Sequence, residues 1–207
     1  MTTSTPYSHS RLALFTFLII AALGMNGCSP IGIATGAGAA TGIAAASEGG
    51  IRGSLRDTRI NADIADKWFK YDLNTFTNLN ITVNQGRVLL TGVVQNPKDR
   101  VEAVRLAWQV EGVDQIINEI RIADSTGFTG YIKDTWITTK LRTAMTFDKK
   151  IQSINFSIDT VQGIVYLMGV AHTEEELERV KALARSTSNV KQVVSYVKFA
   201  GPKKNKA

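Results

Sequence analysis

From residue 57 onward, apolar and polar positions follow two periods, one helical and one of strict alternation. Residues 57–70 carry Ile60, Ile64 and Trp68 at helical spacing. Residues 131–145 carry Ile137, Leu141, Ala144 and Met145 on one face at 100° per residue. Alternating runs near Leu79 to Val83 and Phe156 to Thr160 predict strands. Each is followed by a Gln-Gly turn, Gln85-Gly86 and Gln162-Gly163, and a second strand, near Val88 to Val94 and Ile164 to Val170. A second helix begins after Asn96-Pro97, with proline suited to a first turn. Its counterpart begins near Thr173, where Glu174, Glu175 and Glu176 complement a helix N-terminus. Gln115 to Ile122 and Gln192 to Phe199 close the pattern as last strands. The order is αββαβ, twice. The predicted fold is α+β, each copy a three-stranded mixed sheet with two helices on one face, because each helix has one apolar stripe to bury.

The copies align without gaps at an offset of 77 residues. Asp57-Thr58 falls on Asp134-Thr135, Gln85-Gly86 on Gln162-Gly163 and Gly92-Val93 on Gly169-Val170. Leu106-Ala107 falls on Leu183-Ala184 and Val113 on Val190. Two copies of this length are tandem small domains rather than a solenoid. They are placed at 57–123 and 131–199, with a linker at 124–130 and a basic tail at 200–207.

The N-terminus is organised differently. Arg11 precedes an apolar run, Leu12 to Leu23, of signal-peptide length and short for a bilayer span. Gly24-Met25-Asn26-Gly27-Cys28 follows and resembles a bacterial lipobox, carried by Gly27-Cys28. That resemblance implies a leader over 1–27 and acylation of Cys28, the one cysteine of the chain. The alternative is an ordinary leader followed by a chance cysteine. Ser29, where an Asp would retain a lipoprotein at the inner membrane, implies sorting to the outer one. Residues 28–56 read as an acylated, Gly/Ala-rich tether, since glycine at this density opposes a stable helix. Gly36-Ala37-Gly38 completes no dinucleotide motif.

The repeated unit resembles the BON domain. Its marks here are the glycine of the hairpin, the glycine closing the second strand, and the final strands Val113-Asp114-Gln115-Ile116-Ile117-Asn118-Glu119-Ile120 and Val190-Lys191-Gln192-Val193-Val194-Ser195-Tyr196-Val197. A lipobox followed by two such units is similar to the tandem-BON outer-membrane lipoproteins of the DolP type, above all over Lys133-Asp134-Thr135-Trp136-Ile137-Thr138-Thr139-Lys140. The resemblance implies a non-enzymatic envelope protein, lipid-anchored at the periplasmic face of the outer membrane. It further implies binding of anionic phospholipid, such as phosphatidylglycerol or cardiolipin, through the first helix of the second domain, in support of outer-membrane integrity.

Charge and one aromatic residue point the same way. Of 207 residues 44% are hydrophobic and 20% charged, and the formal net charge is +6. Asp57 to Ala123 holds 8 Lys/Arg against 9 Asp/Glu, whereas Tyr131 to Ala207 holds 13 against 7. The positive field belongs to the second copy. Trp136 stands off the core face of its helix, beside Ile132 and Thr143, with Lys133, Lys140 and Arg142 around the barrel. An amphipathic ring among cations suits a lipid headgroup layer. The alternatives are that Trp136 packs on the other domain or the linker, and that the cations are a solvated surface.

In the second helix the contrast reverses. Val101, Val104 and Trp108 stand where the second copy has Glu178, Lys181 and Arg185. An outward apolar stripe is expected to pack on the second domain or on an envelope protein partner, giving a periplasmic adaptor as the competing function. Otherwise the stripe is itself the core face of that helix. Glu174 to Glu176 and Glu178 read as a helix start and a solvated face. His172 has no second His or Cys to make a catalytic or metal set, and no cofactor motif occurs. Nucleic acid is disfavoured because the basic residues follow an export signal.

Overall fold

The computed structural model describes residues 49–72, 76–123 and 127–201, with the backbone alone at 127–129. The leader, Cys28, the Gly/Ala run and the tail from 202 onward lie outside the described residues, as do 73–75 and 124–126.

The first domain runs α1 Gly50–Tyr71, β1 Leu79–Asn84, β2 Arg87–Val94, α2 Pro97–Ala107, β3 Gln115–Ile122. The second runs α3 Gly127–Phe147, a 3-10 turn at Ser153–Asn155, β4 Phe156–Val161, β5 Ile164–Ala171, α4 Glu174–Ser186, β6 Gln192–Phe199. Each sheet is mixed, its middle strand antiparallel to the strand before it and parallel to the one after. This is the α+β fold of two αββαβ units expected from the sequence.

Two helix starts differ. α1 starts at Gly50, inside the stretch read as tether to 56. Tertiary contacts override the low helix propensity there: Arg56 Nη2 donates to Gly112 O at 2.7 Å and to Asp114 Oδ2 at 2.9 Å. α3 likewise begins at Gly127, within the expected linker.

The repeated Asp and Gln-Gly signals have one cause. Gln85 and Gly86 have φ of 53° and 73°, and Gln162 and Gly163 have 53° and 79°. Both central residues in the left-handed region make a type I′ hairpin turn. Non-glycine residues resist that region. The Asp57 carboxylate holds the first turn by accepting from Gln85 N (2.7 Å) and Gly86 N (2.9 Å). Asp134 does the same for Gln162 N (2.7 Å) and Gly163 N (2.8 Å). Each aspartate sits on the first helix of its unit, so it also ties that helix to the hairpin.

The helices bury their stripes against one face of each sheet. Ile60, Ile64 and Trp68 pack with Val88, Leu90, Ala103 and Ile120. Ile137, Leu141 and Met145 pack with Ile158, Val165, Leu167 and Val180. Trp68 Nε1 donates to Ala103 O at 3.1 Å, so the buried indole is satisfied. Glu176 corrects an expectation. It is buried rather than solvated, because it accepts from Gln152 N and His172 N (2.8 Å each) while its own N–H bonds Thr173 Oγ1 (3.1 Å). This is a variant of the capping box, and it fixes the start of α4.

The opposite faces of the two sheets cover each other. Leu89 and Val93 of the first domain meet Val161, Tyr166 and Met168 of the second, which is why every residue of β2 is buried. β1 lies against β5 and β2 against β4, the arrangement of a two-fold pair. Glu119 and Tyr196, equivalent positions of the two repeats, hydrogen-bond across the contact. Asp159 accepts from Asn80 (2.8 Å) and from Thr91. Arg87 Nη2 donates to Tyr196 O at 3.0 Å.

Burial, and then the bond to Glu119, pushes the Tyr196 phenol up to about 12. An unfolded phenol titrates near 10, so the native state keeps its proton to higher pH than the unfolded state. The resulting stability is complete below about pH 10 and falls as pH rises from there toward 12. Tyr196→Phe is therefore expected to cost about 1.5–3 kcal/mol near neutral pH and to shrink the alkaline loss. Urea denaturation of both proteins at neutral pH and at about pH 11 measures the difference.

Candidate functional site

The buried face of α3 leaves a defined outer face. Ile137, Leu141 and Met145 are at most 1% exposed, whereas Ile132 is 49% and Trp136 45% exposed. Trp136 is therefore off the core face and nearly half exposed. Thr143 shares its stripe, and Lys133, Lys140 and Arg142 are all exposed. Lys140 Nζ stands 4.7 Å from the centroid of the Trp136 ring, a cation–π contact that fixes the indole beside a positive charge. Lys133 and Lys140 flank one side of the stripe; Arg142 lies about 120° from Trp136 on the other.

Phe147 joins this stripe and was not expected. It is 81% exposed and lies eleven residues after Trp136, about 20° away around the helix. The helical period carries that signal, but the predicted helix end at 145 excluded it. Tyr131, also exposed, stands at the opposite flank.

Three threonines of this helix hydrogen-bond to its own backbone. Thr135, Thr143 and Thr146 donate to the carbonyls of Tyr131, Thr139 and Arg142 at 2.8–2.9 Å. Their hydroxyls are satisfied by the helix itself, so their methyl groups can enter a less polar phase.

The equivalent face of the first domain is built differently. Arg59, Asp63, Asp66 and Lys70 occupy the positions of Trp136, Lys140, Thr143 and Phe147. There Arg59 pairs with Asp63 at 3.6 Å and Lys70 with Asp66 at 2.7 Å. α1 is laced with neutral i,i+4 pairs, and α3 is apolar and basic.

The α2 stripe resolves differently from the expectation of packing on the second domain. Val101 is 68% and Trp108 51% exposed, and Val104 leans on the core of its own domain. Ala103, Leu106 and Ala107 form the core face of α2 instead. The sheet faces, not α2, make the domain contact. Cys28, the predicted lipidation site, lies outside the described residues. Among the described residues, no group of three His, Cys, Asp or Glu side chains could hold a metal ion, and no helix is long and apolar enough to cross a membrane.

The BON domain family matches twice, over residues 56–124 and 133–201. The chain is 36% identical over 146 residues to an uncharacterized protein in the gshII 5′ region of Anaplasma centrale, covering 70% of this chain and 95% of that one. It is 31% identical over 121 residues to the outer membrane lipoprotein DolP of Haemophilus influenzae, covering 58% and 62%. It is similar to the osmotically-inducible protein Y of Escherichia coli, 26% identical over 146 residues, covering 70% and 73%.

The two indoles separate surface from core. Trp136→Ala is expected to change stability by no more than about 0.5 kcal/mol. Trp68→Ala is expected to cost about 3–5 kcal/mol. Urea midpoints of the two variants check both numbers; a large loss from Trp136→Ala would make it a packing residue.

Proposed function

Since this chain belongs to the BON-domain family, and one relative is an outer membrane lipoprotein, we propose that it is an envelope lipoprotein whose α3 docks on anionic phospholipid. The anchor would be an acylated Cys28, at the periplasmic face of the outer membrane, and the role support of outer-membrane integrity. One observation carries the reading: Ile132, Trp136 and Phe147 form an exposed apolar stripe flanked by Lys133, Lys140 and Arg142, where the sister helix has paired charges.

The magnitudes suit a surface contact. Each cation near an anionic leaflet contributes at most about 1 kcal/mol. Removing the exposed part of an indole from water contributes roughly 2–3 kcal/mol. Together these are modest. With two or more acyl chains holding the protein at the membrane, they set its orientation rather than its residence. Phosphatidylglycerol and cardiolipin supply the negative charge that a neutral lipid lacks.

A second reading rests on Val101 and Trp108, which remain exposed on α2. They suit a periplasmic adaptor that recruits an envelope protein through the first domain.

Vesicle co-sedimentation of residues 41–207 tests the first reading. Binding is expected to phosphatidylglycerol or cardiolipin vesicles, to weaken with added salt, and to fall about tenfold or more in Trp136→Ala. Equal pelleting of wild type and Trp136→Ala rejects α3 as the contact. Loss of vesicle binding in Val101→Asp instead would move the function to α2.

A further inference from the structure

The two domains share a backbone frame around their hairpins, and one pair of side chains in it has been exchanged. In the first domain Asp114 N donates to Gly86 O at 2.8 Å, and in the second Lys191 N donates to Gly163 O at 2.8 Å. The side chain of Asp114 lies over Gly86, and that of Lys191 over Gly163. Arg56 reaches across the first hairpin and pairs with Asp114 at 2.9 Å, filling the space above it. At the offset of the repeat, Arg56 becomes Lys133 and Asp114 becomes Lys191. A closed ion pair has become two lysines.

The space between them is open. Lys133 and Lys191 line a cleft of about 870 Å³ with Gln162, Gly163, Asn189 and Arg121. Arg121 comes from β3 of the first domain, so both domains build the cleft. Its one carboxylate, Asp134, is already occupied by the N–H groups of Gln162 and Gly163. Neither lysine has a carboxylate partner among the described residues. Three cations held around one cavity repel one another, and a bound anion relieves that repulsion.

We propose that this cleft is a phosphate-binding site, in which Lys133, Lys191 and Arg121 surround the phosphate group. Phosphate suits it because three cations from the two domains line one cleft whose single carboxylate is already bonded, and the Arg121 guanidinium, which also bonds the Tyr166 hydroxyl, has further N–H donors to offer. The group is either a soluble phosphomonoester or the headgroup of a phospholipid. The site is distinct from the Trp136 stripe, sharing only Lys133 with that docking face.

The test uses the full chain in phosphatidylcholine nanodiscs and equilibrium dialysis with radiolabelled inorganic phosphate. Saturable binding of one phosphate per chain is expected, displaced by glycerol phosphate. Lys133→Arg combined with Lys191→Asp rebuilds the ion pair of the first domain, and is expected to weaken binding at least tenfold. Its circular-dichroism melting temperature is expected to equal or exceed that of wild type, which excludes misfolding; Lys191→Gln serves as a milder second variant. Lys198→Asp, a charge reversal outside the cleft, is expected to leave binding intact. Nanodiscs of phosphatidylglycerol identify the source: competition with labelled phosphate assigns the site to the lipid headgroup, and unchanged binding assigns it to a soluble ligand. No saturable binding in wild type, or equal binding in the rebuilt variant, overturns the proposal. Trp136→Ala lowers adhesion to anionic vesicles without altering the cleft, so failure of one reading is distinguishable from failure of the other.

Discussion

The back-to-back contact of the two sheets decides what every other surface is free to do. Each unit has helices on one side of its sheet only, and a single unit would leave the far side of β2 or β5 bare. Leu89 and Val93 against Tyr166, Met168 and Val161 remove both bare faces at once. Polar bonds from Arg87, Asp159 and Glu119 fix the register of that contact. With the sheets enclosed between helical layers, the outward faces of the helices carry many of the exposed apolar residues. Ile132, Trp136 and Phe147 on α3 and Val101 and Trp108 on α2 are such residues.

Duplication kept the frame and changed its surfaces. Asp57 and Asp134 hold equivalent I′ turns with nearly equal distances. Gly92 and Gly169 have φ of 117° and 138°, and a side chain at either would strike the carbonyl of Asn78 or Asn155. These positions are constrained by backbone geometry, so both copies retain them. The outer faces of α1 and α3 carry no such constraint. One became a row of ion pairs and the other an apolar, basic stripe. Differences between repeats within one chain thus mark positions released from folding and available to function.

The sequence made legible whatever depends on local period. The strands, the turns and the core faces of α1 and α3 follow from alternation, helical spacing and Gln-Gly, and Trp136 was separable from Trp68 by helix phase alone. Two things were hidden because they depend on contacts distant in the chain. The extra turns at the starts of α1 and α3 lie in glycine-containing stretches of poor intrinsic propensity, and Arg56 is held by residues more than fifty positions away. The docking of the sheets was masked because β2 and β5 are apolar on both faces. That pattern states that both faces are covered without stating by what. The α2 stripe was the more conspicuous candidate for the contact, and Val104 alone of its three residues turned inward.

The rigidity of α3 bears on how well its outer face can bind. Ile137, Leu141 and Met145 lock the helix to the sheet, and Asp134 ties it to the β4–β5 turn. Trp136 is further confined by the ammonium of Lys140 above its ring. A partner meeting this face therefore orders few rotamers, and the entropy loss that commonly offsets surface contacts is small. No lid or hinge is needed. The same stiffness sets the spacing between the apolar stripe and the cluster of Lys133, Lys191 and Arg121. One suits an acyl boundary and the other a phosphate, and Lys133 of α3 stands at the edge of both.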